Sequence, residues 1–557
     1  MNSETRNCQN CKKDFSIEPD DFAFYEKIKV PPPTWCPECR QRRRYSWRNE
    51  LMLYRRNCDL CGKSSVTIYS PNKPYKVYCP SCWWSDKWSA LDYGTGFDFS
   101  RPFFEQFKEL QLRVPRIALL NKNSVNSEYI NHSNNNKNCY LSVSVFDSEN
   151  VMYSSEILTA SQDVCDSSWI NDGGQLIYEL VGSNRCYKCQ YGFLLRDCNN
   201  CFYCYDCRGC SNCFLSFNLR NKQYYFKNQP YTKEEYQKKI SKWNLNSFND
   251  RQKLLEQWRD LIENKSKHRF AVIENSNNVS GNMIFNSKNT FHAFDTYNSE
   301  NEKYVINSVN TKDSMDCYNF GFGSELIYET HANIHSYNML FTHLSYDNHD
   351  LQYCDTCQNS ENLFGCVGVK SGSYVIFNKK YSETEYKDLK GKIIEHMKKT
   401  GEYGEFFPPQ LSPFGYNETE AAIYMPLSKD EALARGYKWE DLVPGTFGKE
   451  TLEPEQIVDD IKDVQDTILK EALRCTKCNK NYNIVKAELD FYRHENIPIP
   501  RQCPDCRYKA RINLRPPRKL WHRKCMKPGC NNEFETSYAP ERPEIVYCER
   551  CYNEEVA

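Results

Sequence analysis

Through the middle of the chain, asparagine, serine and glycine punctuate short runs that each carry one aromatic residue or cysteine. Tyr129, Tyr140, Tyr153, Cys165 and Tyr178 fall 11 to 13 residues apart. That rhythm predicts short strands bounded by polar turns, with the aromatic positions stacked one above another. A β-solenoid produces it by burying each coil's inward residues against the next coil. An antiparallel sandwich gives a similar pattern, so both architectures stay open at this point. Two stretches replace the rhythm with helical spacing: 232–266, which holds Trp243, Leu254, Leu255 and Trp258, and 382–400. Each follows a strand-rich stretch, as a cap on an open sheet edge or a connector would.

The strand-rich stretches repeat one another. Lys137-Asn138-Cys139-Tyr140 recurs as Lys288-Asn289-Thr290-Phe291, and Leu176-Ile177-Tyr178-Glu179 as Leu326-Ile327-Tyr328-Glu329. Tyr203-Cys204 and Cys207 recur as Tyr353-Cys354 and Cys357, and Tyr224-x-Phe226-x-Asn228 as Tyr374-x-Ile376-x-Asn378. The offset stays at 150 or 151 residues. Two lobes, 120–240 and 272–393, are therefore expected to share one fold.

The chain has 557 residues, which at roughly 100–200 residues per domain predicts several folding units. Its 73 basic and 73 acidic residues cancel, so any attraction to nucleic acid must come from local patches. No stretch approaches the roughly 18 apolar residues needed to span a bilayer, and residues 1–20 hold no secretory apolar core. The expectation is a cytoplasmic protein with no membrane partner. Thirty cysteines in a reducing compartment read as metal ligands before disulfides.

Their spacing sharpens this. Near the start, Cys8, Cys11, Cys36, Cys39, Cys58, Cys61, Cys79 and Cys82 form four Cys-x-x-Cys pairs. Near the end, Cys475, Cys478, Cys503, Cys506, Cys525, Cys530, Cys548 and Cys551 repeat the arrangement, with the third pair widened to Cys-x4-Cys. The gaps between successive pairs are 24, 18 and 17 residues in both copies. Two such knuckles complete a tetrahedron of thiolates, which predicts about four structural zinc ions. Neighbouring knuckles give the simplest pairing, and a cross-braced pairing satisfies the spacing equally.

The stretches 8–44 and 475–511 place Phe-Tyr before Pro-x-Pro-x-x-Cys-Pro-x-Cys-Arg and a basic tail. They resemble treble-clef zinc-binding domains of bacterial proteins. With Phe364-Gly-Cys366-Val-Gly, Asn378-Lys-Lys-Tyr381-Ser and Gly404-Glu-Phe-Phe-Pro-Pro409, the wider chain resembles an uncharacterised multi-zinc-ribbon family of candidate-phylum bacteria. The resemblance runs nearly end to end and implies zinc, without implying an activity. Some members carry the label of CaiB/BaiF-type coenzyme A transferases. The alternating strand and helix pattern of such an enzyme is missing from this sequence.

The first lobe adds a cysteine at every third position, Cys198, Cys201, Cys204, Cys207, Cys210 and Cys213, after Cys186 and Cys189. A two-residue strand period would put these on both faces, so the run reads as consecutive knuckles and a second candidate metal set, together with Cys354 and Cys357. Small buried thiols and a redox pair are the alternatives. Five histidines, His292, His331, His335, His343 and His349, fall in the second lobe and accompany no catalytic signature, which favours an ordinary polar aromatic role. No catalytic residue and no small-molecule substrate emerge.

Both zinc modules carry a basic tract with interleaved aromatics, 40–56 and 507–524. Arg40 and Arg507, one residue past a knuckle, are expected to be structural. Arg42, Arg43, Arg44, Arg515, Arg518 and Arg523 are candidates for a phosphate surface suited to RNA.

The resulting expectation is a multidomain, mainly β chain. It runs as zinc modules at 1–57 and 58–100, a helical linker at 101–119, a β-solenoid-like lobe at 120–240, a helical connector at 241–271, a second such lobe at 272–393, an extended and helical linker at 394–474, and zinc modules at 475–524 and 525–557. Its expected role is a non-enzymatic zinc scaffold binding RNA, a ribonucleoprotein such as the ribosome, or a protein partner. The alternatives are a β-solenoid enzyme or binder acting on polysaccharide, and a metal storage or redox protein using Cys198–Cys213.

Overall fold

Left-handed backbone at every third residue shapes the strand-rich lobes. In the computed structural model, which describes residues 2–556, Asp197, Asn200, Tyr203, Asp206, Gly209 and Asn212 all have φ between 46° and 62°. Asparagine and aspartate tolerate this region because their short polar side chains bond locally. Each such residue turns the chain so that the next side chain points inward. Cys198, Cys201, Cys204, Cys207, Cys210 and Cys213 follow these six positions one by one, and all are buried. The repeat period is therefore three, not two.

Inward serines and cysteines share one hydrogen bond. Ser183 and Ser216 donate to the carbonyls of Val181 and Phe214, two residues back, at 3.1 and 3.0 Å. Cys201 and Cys207 donate likewise to Asn199 and Tyr205, at 3.5 Å each. A small side chain with one donor satisfies a buried carbonyl at each turn, and a thiol is the less polar version of that device.

Within the lobes strands pair in parallel at a register of 11 to 13 residues. Glu300 pairs with Lys312, Lys312 with Glu325, and Glu325 with Tyr337. In the other lobe Gln162 pairs with Gln175, and Asn199 with Ser211. Amide ladders run along the outside: Asn275, Asn286, Asn298 and Asn310 donate each to the next at 3.2, 3.0 and 2.9 Å. The aromatic rhythm becomes a column in which Tyr129–Tyr140 and Tyr140–Tyr153 ring centroids lie 5.3 and 5.8 Å apart. Each ladder ends in a short antiparallel hairpin, Gln223–Phe226 with Gln229–Pro230 and Ser373–Ile376 with Lys379–Lys380. Helices Lys233–Ile240 and Glu383–Thr400 follow, opened by capping boxes at Thr232/Glu235 and Ser382/Glu385. They lie over the last strands, with Tyr236 against Tyr224 and Tyr386 against Tyr374, as expected for caps.

The chain divides into two units that cut across its linear order. Unit 1 comprises Met1–Ala118, Ala271–Val443 and Arg518–Leu520; unit 2 comprises Leu119–Phe270, Pro444–Pro517 and Trp521–Ala557. The cysteine modules at the start of the chain thus join the second lobe, and those at its end join the first lobe. In unit 1 one core takes Phe22, Tyr25 and Trp47 from the module, Phe103 and Phe107 from helix Phe103–Arg113, and Ile284, Val305 and Ile327 from inside the lobe. In unit 2, Tyr178, Tyr203 and Phe214 pack with Leu489, Tyr492 and Ile497. Its lobe interior holds Val145, Val164, Ile177 and the cysteine run. No helix among the described residues is long and apolar enough to cross a membrane.

Candidate metal centres

Four cysteine groups each bring their sulfurs within 4.8 Å of one another: Cys8, Cys11, Cys36, Cys39; Cys58, Cys61, Cys79, Cys82; Cys475, Cys478, Cys503, Cys506; and Cys525, Cys530, Cys548, Cys551. Neighbouring knuckles pair, so the sequential arrangement holds and the cross-braced one does not. The Sγ–Sγ distances Cys11–Cys36 and Cys478–Cys503 are 3.7 Å, and Cys61–Cys79 and Cys530–Cys548 are 3.9 Å. A tetrahedron with metal–sulfur bonds of about 2.3 Å has edges of about 3.8 Å, so the four donor sets fit a tetrahedral ion.

The local chain explains the convergence. In the first knuckle, Lys12 donates its N–H to the Cys8 carbonyl at 2.9 Å and takes φ 61°. Gly62 and Asn479 do the same after Cys61 and Cys478. In the first cysteine group at each end the second knuckle opens a helix: Cys36 and Cys503 cap Pro37–Tyr45 and Pro504–Ile512, each with proline in the first turn. The helix N-terminus faces the sulfurs and favours their negative charge. Backbone N–H groups of Cys36, Cys79, Cys503 and Cys548 donate to Cys8, Cys58, Cys475 and Cys525 sulfurs at 3.2 to 3.3 Å. Burial pushes the Cys58 thiol up, yet N–H donors from Cys79, Cys61 and Leu60 outweigh it and bring it down to about 7.

From each module helix, arginines reach into the lobe of their own unit. Arg40, Arg43 and Arg44 share one helix face by their three- and four-residue spacing. Arg40 meets Asp316 at 2.7 Å; Arg43 meets Glu329 at 3.0 Å and Glu405 at 2.9 Å; Arg44 meets Glu329 at 2.8 Å and Asp316 at 3.2 Å. In unit 2, Arg507 meets Asp166 at 2.9 Å, and Arg511 meets Asp166 at 2.8 Å and Glu179 at 3.3 Å. Arg40 and Arg507 are structural as expected, although they bind lobe carboxylates rather than the cysteine groups.

The arginines expected to form a phosphate surface have partners within the chain. Arg42, Arg43 and Arg44 are 8%, 2% and 2% exposed, with Arg42 on Glu38 at 3.3 Å. Arg515 stacks on Trp169, 4.1 Å from its centroid. Arg518 is held by Asp295 at 3.3 Å and donates to the Tyr45 hydroxyl at 3.2 Å, and Arg523 donates to the Ala539 carbonyl at 3.2 Å. Carboxylates of the second lobe draw Arg43, Arg44 and Arg518 toward it, where a basic tract read alone would face solvent, whereas Arg515 and Arg523 stay half-buried. The lobe partners were visible only as Asp166/Asp316 and Glu179/Glu329 recurring at the 150-residue offset.

Cys186, Cys189, Cys198, Cys201, Cys204, Cys207, Cys210, Cys213, Cys354 and Cys357 join none of the four converging groups among the described residues. Cys198 and Cys204 instead donate to carbonyls of the next coil, Cys207 and Cys213, at 3.3 and 3.5 Å. The lobe histidines also stay outside such groups. His331 and His343 stack inside the lobe at 5.2 Å, with His343 Nδ1 2.9 Å from Asp355, while His335 lies 3.2 Å from Asp347.

Comparison with known protein families, curated proteins and solved structures finds no match to this chain.

Proposed function

We propose that this protein is a non-enzymatic zinc scaffold, in which paired structural zinc modules clamp two β-solenoid lobes derived from one duplicated module-and-lobe unit. The carrying observation is a repeated latch: Arg44 on Asp316 and Glu329, and Arg511 on Asp166 and Glu179. The arginines lie 467 residues apart and the carboxylates 150 apart, so module and lobe copies keep the same partners. Closed four-thiolate sites offer no position for water or substrate, which favours zinc acting through folding rather than catalysis. Thiols that donate to carbonyls inside the first lobe favour packing over metal storage or redox use.

With the arginines of both basic tracts engaged within their units, a protein partner is favoured over RNA or a ribonucleoprotein as the scaffold's client. Elemental analysis of purified protein tests the reading. It predicts about four zinc ions per chain, no visible colour and no nucleic acid retained at low salt. Iron with colour would overturn the zinc assignment, and retained RNA would return the client to nucleic acid.

A further inference from the structure

A groove of about 670 Å³ runs between helix Lys486–His494 and the outer face of the first lobe in unit 2, and neither the cysteine groups nor the latches use it. Its apolar surface comes from the Tyr129 and Tyr140 rings on the lobe side and from Phe491 on the helix side, joined by Met152 and Leu176. That size and this mix of aromatic surface with a few polar groups are those of small-molecule sites, roughly 300–1,000 Å³.

The polar groups have one sign. Asn126 donates to Asn138 at 3.2 Å, Asn138 to Asn150 at 3.2 Å, and Asn150 to Asp163 at 2.8 Å. Every amide in this run points its NH2 toward Asp163, so the ladder's positive end is spent on that carboxylate and no amide N–H is left aimed at a ligand there. Glu128 adds a second carboxylate and Asp490 a third that is ion-paired, while the lining contains no lysine or arginine and a single histidine, His494. Lys486, next to the groove, is taken by Asp490. Four ladder positions at about 4.8 Å spacing extend over about 14 Å, the reach of an extended linear amine.

Carboxylates beside aromatic faces attract a cation whose carbon body can lie on the rings. A phosphate-bearing ligand meets repulsion here, and a neutral sugar leaves the carboxylates without a counter-charge. We propose that this groove binds an organic polycation of the polyamine class, with ammonium groups at the Asp163 and Glu128 carboxylates and the alkyl chain along Tyr129, Tyr140 and Phe491. The assignment is independent of the zinc-scaffold reading.

Calorimetric titration of the full zinc-loaded chain with spermidine tests it. The expected result is saturable binding that weakens as salt rises and falls about tenfold in a Glu128→Gln/Asp163→Asn double variant, with melting temperature and zinc content unchanged. Asn at 163 keeps an acceptor for Asn150. Should that change disturb folding, Glu128→Gln alone, at an exposed position outside the ladder, is expected to weaken binding about threefold. No saturable binding at millimolar spermidine, unchanged affinity in the variants, or equal binding of neutral cellotetraose overturns the proposal.

Discussion

Arg44 and Glu329, 285 residues apart in sequence, lie 2.8 Å apart with both side chains no more than 2% exposed. A charge buried this deeply is tolerable only with its partner in place. Arg44→Gln is therefore expected to destabilise unit 1 by about 1.5–3 kcal/mol, because it removes one charged partner from each of Asp316 and Glu329, which keep Arg40 and Arg43. Arg511→Gln is expected to act the same way on unit 2. Denaturant melts followed by protease susceptibility of each unit check this, and a loss under about 1 kcal/mol would mean that the pairs are not latches.

The two latches differ in one residue. Arg43 gives Glu329 a third guanidinium, whereas the matching position of the other module is Ala510. Burial would push the Glu329 carboxyl up, but Arg44, Arg43 and Arg40 outweigh it and hold it below the usual range. Burial pushes the Glu179 carboxyl up to about 7, against the pull of Arg511 and with Asp166 adding repulsion. The folded state therefore binds the Glu179 proton more tightly than the unfolded chain does. Its contribution to stability is complete below about 4.5 and is lost as pH rises through about 7. Unit 2 of the wild type is expected to lose melting temperature across that window, and Glu179→Gln to flatten the decline. An unchanged slope in the variant would remove Glu179 as the cause.

Cys201→Ser is expected to cost about 1 kcal/mol or less, since serine makes the same bond to the carbonyl two residues back at Ser183 and Ser216. Zinc content should stay unchanged. A loss of bound metal in this variant, measured by elemental analysis, would place a metal in the cysteine run after all.

Much of this was legible beforehand for a physical reason: cysteine knuckles and the aromatic column are local or periodic signals. Cys8 to Cys39 needed only spacing, and Tyr129, Tyr140 and Tyr153 needed only their regular recurrence. The three-residue inward period was not legible, because left-handed positions accept Tyr203 and Leu215 as well as asparagine and aspartate. Nor was the destination of the arginines, since Arg40 finds Asp316 across 276 residues of sequence. A basic tract reads as surface until its buried partners are known.

The central claim, that zinc in a module stabilises the lobe of the same unit, is tested most directly by hydrogen exchange on Cys36→Ser. Losing one thiolate opens the Cys8, Cys11, Cys36, Cys39 group, and with it the helix Pro37–Tyr45 that carries the latch arginines. The account predicts one zinc fewer per chain, together with faster exchange in strands Lys312–Gly321 and Glu325–Ile334, where Asp316 and Glu329 sit. Loss of the zinc with protection of those strands unchanged would contradict it.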